Sequence, residues 1–350
     1  MNISQQPPNS GLTGVKKIIA VSSCKGGVGK STIAAHLAME MIQKGHTVGL
    51  LDADIFGPSI PALFQLQHVP LLTDERNFIK PVEHNGLKLM SFGFLLGDSP
   101  AVMRGPIVTR YIQQLLLQCA WDDLDYLFVD MPPGTGDVHI TITQTIPLNG
   151  TIIVTTPQSL SIIDVTRGIL MFEKMKVPIL GIIENMSYII CPKCEHKHAV
   201  FEQNTQQTLQ KRFGVPLLGD LPLTNHFAQH IEKSKGEGGE AIQTILQNTL
   251  DSIDKLEGQN KQLPKVRSNN ATLQVTFFGE SETHQKKEID HLNLRIACQC
   301  ALCVDEMNGR SIIDKAKIPK DIKPTQINPL GNYAVNIVWS DGHSSSIYSY

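Results

Sequence analysis

The sequence predicts an α/β fold: a doubly wound, parallel-sheet domain carrying a phosphate-binding P-loop, followed by a small β-rich metal-binding domain. Three observations predict it. Residues Cys24-Lys25-Gly26-Gly27-Val28-Gly29-Lys30-Ser31-Thr32 stand between an apolar run, Ile18–Val21, and a helical pattern from Ile33, the strand–turn–helix setting that a phosphate loop needs. From Lys17 to about Leu221, continuous apolar runs alternate with helical patterns, as in strands buried on both faces. Beyond a polar stretch, Cys298, Cys300 and Cys303 crowd into a unit of about 80 residues, small enough for a structural metal to help it fold.

Taken in order, the strands expected are Lys17–Ser23, Thr47–Asp52, Leu124–Asp130, Thr151–Thr155, Ile179–Glu184 and Pro216–Asp220, with helices over Lys30–Lys44, Gly105–Cys119, Ser161–Lys176 and Thr205–Phe213. A last helix near Glu240–Leu256 precedes a linker over 258–270, rich in Gln, Asn and Lys. A strand then restarts at Thr272–Phe278, and another is expected over Tyr333–Trp339. The domains are thus a polar, disordered N-terminus over 1–14, the nucleotide domain over 15–257, the linker, and a metal-binding domain over 271–350.

Composition narrows the function classes. The 350 residues are 41% apolar and 18% charged, with 31 basic against 33 acidic residues and a net charge of −2. No clustered positive excess argues for nucleic acid, and no apolar run approaches the roughly 18 residues of a membrane span. The first residues are not a secretory signal, so the cytoplasm is the expected compartment. There, the seven cysteines are expected as ligands or reactive thiols, not disulfides.

The loop chemistry is explicit. Its glycines let backbone N–H groups converge on an anion, and the following helix adds its positive dipole end. Lys30 can reach the β- and γ-phosphates, and the Ser31 hydroxyl can hold Mg²⁺. Asp130 ends an apolar strand in the Walker-B position for Mg²⁺, and Asp54, after Asp52, is placed to orient an attacking water. One strand-end aspartate alone reads as easily as a turn or helix cap; with the loop upstream, the functional reading prevails. Cys24 stands where the ordinary motif has glycine, which implies a backbone that tolerates a Cβ and hence negative φ.

Lys25–Ser31, Asp52–Ser59, Arg104-Gly105-Pro106, Asp130–Asp137, Thr155-Thr156-Pro157-Gln158 and Glu184-Asn185-Met186-Ser187-Tyr188 together resemble the Mrp/ApbC family of ATP-dependent iron–sulfur cluster carriers, P-loop NTPases of the deviant Walker A class. The resemblance covers roughly residues 15–256. It implies that Lys25 reaches across a homodimer to the partner's nucleotide, that Asp54 is the switch acid near the hydrolytic water, and that Asn185 reads the adenine edge. By the same likeness, ATP is bound over Lys25, Gly26, Gly27, Val28, Gly29, Lys30, Ser31 and Thr32. Apo iron–sulfur proteins and a cluster donor are the implied partners.

Cys191-Pro192-Lys193-Cys194 offers two thiolates, and a [4Fe–4S] cluster usually takes four. Two chains would supply them, so a cluster bridging a homodimer follows from ligand count once a dimer is granted. A mononuclear zinc site with His196 and His198, a redox pair and two unliganded cysteines stay open beside it; the two histidines read best as solvated loop residues. In the second unit, Cys298, Cys300 and Cys303 with His343 make a Cys₃His set, the form used for structural Zn²⁺. The segment from Leu294 through Cys298–Cys303, Gly331-Asn332-Tyr333 and Trp339–His343 to Tyr348 resembles the small zinc-binding domain at the N-terminus of γ-butyrobetaine hydroxylase. This unit either docks partners or only folds itself around its metal.

Two other classes compete with a cluster carrier. A positional ATPase of the MinD or ParA kind would act on membrane or DNA, and neither a basic amphipathic helix at the end of the sequence nor a basic excess is present. A zinc-bearing ATP-binding adaptor would hold nucleotide without turning it over.

Overall fold

The computed structural model describes residues 10–96, 105–157, 161–191, 193–194, 196–199, 213–224, 231, 238–259, 264–277, 285–300, 302–304, 310–330 and 334–349. The sequence expectations at Met1–Asn9, Arg104, Gln158, most of Thr205–Phe213 and Gly331–Tyr333 lie outside the described residues. The chain divides into two compact units, the first over 1–205 and 217–250, the second over 206–216 and 251–350.

The first unit opens with β1 (Val15–Ser23), α1 (Lys30–Gln43), β2 (Val48–Asp52), α2 (Ile60–Leu63), β3 (Val82–His84) and β4 (Leu87–Ser91). There follow α3 (Phe92–Leu96), α4 (Gly105–Leu117), β5 (Leu124–Pro133), α5 (Asp137–Thr145), β6 (Gly150–Thr155), α6 (Ser161–Lys174), β7 (Ile179–Ile190), β8 (Lys197–Ala199), β9 (Leu217–Pro222) and α7 (Gly239–Gln259). Nine strands form one sheet in the order β3-β4-β2-β5-β1-β6-β7-β8, with β9 also on β7.

The inner pairs, β2 with β4 and β5, β1 with β5 and β6, and β7 with β6 and β9, are all parallel. The flanking pairs β3·β4 and β7·β8 are antiparallel. The sheet thus has the expected parallel centre, extended at its flanks by antiparallel strands. Both antiparallel additions are hairpins, which need only a short turn, and both are three-residue strands too brief to stand out as apolar runs.

Both faces of the sheet are covered. Ile18 and Ala20 of β1, Leu51 of β2, and Leu127 and Val129 of β5 pack with Ile112, Leu115 and Leu116 of α4 and Ile142 of α5. The alternating neighbours Ile19, Val21, Leu50 and Phe128 are equally buried on the opposite side, where α1 lies against β1, β2 and β5. This two-faced burial explains why these strands read as unbroken apolar runs. It also brings the carboxyl ends of β1, β2 and β5 together, the edge where ligands bind in such sheets.

In the second unit, β10 (Lys265–Ser268), β11 (Thr272–Phe277) and β12 (Gln285–Asp290) form an antiparallel meander. The short helix α8 (His291–Ile296) follows, its N-terminus capped by Asp290, which accepts from the Asn293 N–H at 2.9 Å. A second meander joins β13 (Pro324–Leu330), β14 (Ala334–Trp339) and β15 (Ser346–Ser349). Leu273, Val275, Leu294, Ile318, Ile322, Val335, Ile337 and Trp339 form its core. Helix α7 and strand β10 both occupy part of the stretch 258–270 expected as a linker. Strand β10 is an exposed edge strand, so its polar composition carried no strand signal.

Candidate functional site

The P-loop leaves β1 at Ser23 and enters α1 at Lys30. Gly27 (φ 77°) and Gly29 (φ 82°) hold left-handed conformations that side chains rarely adopt, and a Cβ on Gly29 would lie 2.3 Å from Asn185 Nδ2. Cys24 does not share that conformation. Its sulfur faces α6, where a Cβ on Gly168 would stand 2.5 Å from it. Burial pushes the Cys24 thiol up to about 11, so the group is a packed, protonated thiol.

Lys30 is buried and ion-paired with Asp130, and its Nζ lies 3.3 Å from Ser31 Oγ. Burial raises the Asp130 carboxyl, and Lys30 opposes that rise. The other oxygen of Asp130, Oδ2, is buried with no hydrogen-bond partner. An orphaned carboxylate oxygen beside a hydroxyl suits a hard divalent cation with oxygen ligands, so Ser31 and Asp130 fit Mg²⁺.

Asp52 stands opposite Asp130 in the β2·β5 register. Its Oδ2 accepts from Ser59 N–H (3.0 Å), Ile60 N–H (3.1 Å) and Ser91 Oγ (3.0 Å), and its Oδ1 accepts from Asp54 N–H at 3.1 Å. Burial, then the nearby Asp130 charge, pushes Asp52 up to about 7. Asp52 therefore braces the loop that presents Asp54. Asp54 is itself buried and accepts from the N–H groups of Phe56 and Gly57, each at 3.2 Å.

Sequence reasoning did not single out His139. It is buried in the first turn of α5, with Nε2 unpartnered. Burial and the Lys30 charge hold its imidazole neutral, at about 4, against a hydrogen bond with the Pro132 backbone. The signal was present: the residue follows Asp137 directly after the loop at Met131–Gly136.

Asn185 is buried on β7, and its Nδ2 donates to the Val28 carbonyl at 2.8 Å, clamping the P-loop. Lys25, partly exposed, accepts from Ser23 Oγ through its backbone carbonyl at 2.9 Å. At Met186 (φ 58°) the strand kinks; its register with β9 shifts between Glu184 and Tyr188, and from Tyr188 on it pairs with β8 as well.

The kinked end of β7 carries Cys191, half-buried, and the turn carries Cys194, exposed. The Cys191 N–H donates to the His196 carbonyl at 3.1 Å, and His196 Nδ1 lies 3.1 Å from the Cys194 carbonyl oxygen. The backbone N–H groups of Lys193 and Cys194, and then the Cys194 thiol, lower the Cys191 pKa. The two sulfurs and a ring nitrogen of His198 all lie within 4.8 Å of one another. The structure thus brings to the pair a histidine that the sequence reading left in solvent.

In the second unit, His343 Nε2 lies 3.4 Å from Cys298 Sγ, 3.4 Å from Cys300 Sγ and 3.7 Å from Cys303 Sγ. All four expected ligands converge, at separations near the roughly 3.8 Å edge of a tetrahedron with Zn–S bonds of about 2.3 Å. The set fits Zn²⁺. Two supporting residues were not foreseen. Buried Arg295 donates to Cys303 Sγ (3.4 Å) and to Asp341 Oδ2 (2.9 Å), while Asp341 Oδ1 accepts from the His343 N–H (3.0 Å). All seven cysteines are free thiols. Among the described residues no helix is long and apolar enough to cross a membrane.

Residues 14–255 match the family described as NUBPL iron-transfer P-loop NTPase, and residues 265–350 match the γ-butyrobetaine hydroxylase-like, N-terminal family. A chloroplastic Fe-S cluster assembly factor, HCF101, of Oryza sativa subsp. japonica is 37% identical over 343 residues, covering 95% of this chain and 64% of that protein. The chain thus spans just under two thirds of that relative's length. An iron-sulfur cluster carrier protein of Pseudomonas fragi is 45% identical over 228 residues, covering 64% of this chain and 79% of that protein. Among solved structures, an ADP-bound nucleotide-binding protein from Archaeoglobus fulgidus is 36% identical with a TM-score of 0.58, covering 65% of this chain and 93% of that one. With the loop, its paired aspartates and the Cys₃His set in place, the chain belongs to the NUBPL iron-transfer P-loop NTPase family and carries a γ-butyrobetaine hydroxylase-like N-terminal domain behind it.

Proposed function

We propose that this protein is an ATP-hydrolysing carrier that holds a [4Fe–4S] cluster between two copies of itself and passes it to apo iron–sulfur proteins. The observation that carries the reading is the shared strand β7. Its residue Asn185 grips the P-loop at Val28, and Cys191 follows directly on its last residue, Ile190, six positions from Asn185 and past the kink at Met186. Nucleotide and cargo therefore act on one element. Lys30 stabilises phosphate charge, Ser31 and Asp130 hold Mg²⁺, and Asp54 orients the attacking water. Lys25 reaches the partner's nucleotide, and Asn185 also meets the adenine edge. Cys191 and Cys194 of each copy supply the four thiolates of the cluster cargo, received from a donor protein. The ATPase module spans 15–257 and the Zn²⁺ module 271–350, in a reducing compartment such as the cytoplasm.

The test is anaerobic reconstitution with iron and sulfide, followed by transfer to an apo-protein. About four irons per dimer, lost in Cys191→Ser with Cys194→Ser, are expected, as is a fall in ATP turnover of at least about a hundredfold in Asp54→Asn. Iron and sulfide uptake no greater than that of the Cys191→Ser, Cys194→Ser variant would overturn the reading. Equal slow turnover in wild type and Asp54→Asn would leave a non-enzymatic adaptor.

A further inference from the structure

We propose that Cys191, Cys194 and His198 form a three-ligand site, complete within one chain, for a single soft divalent metal ion such as Zn²⁺ or Fe²⁺. The hairpin register places His198 opposite Ile189. Side chains alternate along a strand, so Cys191, two residues on from Ile189, projects to the same face as His198. The adjacent residue, Lys197, is held on the other face. Its Nζ lies 3.8 Å from the centre of the Tyr188 ring and 3.3 Å from Asp220 Oδ2. That anchoring fixes which way β8 faces and so directs His198 toward the sulfurs. The turn is closed by the Cys191 N–H to His196 carbonyl bond at 3.1 Å, and the His196 ring faces the Cys194 carbonyl. Of the two histidines, only His198 lies in the ligand group.

Two thiolates and one imidazole suit zinc and ferrous iron, and three protein ligands leave a fourth position for a solvent or incoming thiolate ligand. The donor atoms lie within 4.8 Å of one another; closing to a tetrahedral edge of about 3.8 Å needs only side-chain rotation at partly exposed residues. Metal entry displaces the thiol protons to solvent. The site shares its cysteines with the carrier reading but differs in ligand count, nuclearity and independence of a second chain.

The test uses the full-length protein, nucleotide-free and anaerobic, with a single equivalent of Zn²⁺ per chain added first to occupy the four-ligand Cys₃His site and Co²⁺ then added as probe for the three-ligand one. The Cys191→Ser, Cys194→Ser variant provides the blank. One Co²⁺ per chain is expected, with tetrahedral visible bands and sulfur-to-cobalt charge transfer that do not change with protein concentration. His198→Asn should weaken Co²⁺ about tenfold or more and shift the visible bands, while His196→Asn should leave both unchanged. Unaltered affinity and bands in His198→Asn, one Co²⁺ per two chains, or no binding above the blank would each overturn the proposal. A failed cluster reconstitution would count against the carrier reading alone, because the cobalt titration uses no sulfide.

Discussion

Cys24 departs from the glycine of the ordinary phosphate loop, and its compensation lies on another element. Its sulfur occupies the space that a side chain at Gly168 would need. Gly168→Ala should therefore destabilise the protein by about 1–3 kcal/mol through overpacking, measured by urea denaturation. In a Cys24→Ala background the sign should reverse, because alanine exceeds glycine in helix propensity by about 1 kcal/mol. A double-mutant cycle with no coupling would remove the contact from the account. Local motifs made the placement of Lys30, Ser31 and Asp130 legible in the sequence, since it follows from position in the loop or at a strand end. Gly168 was not legible, nor was the bracing role of Asp52, whose partner Ser91 comes from β4. Such pairings exist only once the chain has folded.

Among the elements, the sheet is pinned at the end opposite the nucleotide edge by one carboxylate. Asp125, at the start of β5, accepts from Lys16 Nζ of β1 at 2.8 Å and from Thr47 N–H and Oγ1, just before β2, at 2.9 and 3.0 Å. The Lys16 bond first, then the Thr47 N–H, lowers its pKa to about 2. Because the folded pKa lies below the ordinary value of about 3.9, the stabilisation is complete above that value and disappears as pH falls toward 2. Asp125→Asn should cost about 1 kcal/mol at pH 7, less in high salt because the pair is partly exposed. Denaturation curves at pH 7 and pH 2.5 check it: a gap that does not narrow in acid would assign the effect to something other than charge. The central strands were legible because burial on both faces makes them continuous apolar runs. The short flanking hairpins and edge strand β10 were not, because their order comes from neighbours and not from their own composition.

At the scale of the molecule, each unit contains one of the two tryptophans, Trp121 in the first and Trp339 in the second. Trp339 packs in the small core beside the metal-ligand loop; its backbone N–H donates to the His343 carbonyl at 2.8 Å and its indole N–H to Ser346 Oγ at 3.1 Å. Trp121 is buried with its indole nitrogen unpartnered, so Trp121→Phe removes no hydrogen bond and leaves Trp339 as sole reporter. Once the Cys₃His set is loaded with Zn²⁺, stripping it with a strong chelator should shift Trp339 emission to the red as that core loosens, while nucleotide affinity stays within about twofold, since the P-loop belongs to the other unit. Emission that does not move would mean the small core stands without metal. The two-part organisation was readable from the polar stretch over 258–270. Where one part ends was less so, because α7 runs on through the boundary.

The Lys30–Asp130 pair has a consequence for what the loop accepts. Each is the other's counter-ion, and both are buried. An anion arriving alone would draw Lys30 away and leave Asp130 charged in a dry site, while a cation arriving alone would meet Lys30 already in place; either exchange strands a buried charge. On the proposed function, a nucleotide that brings its own Mg²⁺ would replace both partners in one event, and the loop would act as a coincidence detector that answers to the two delivered together and to neither alone.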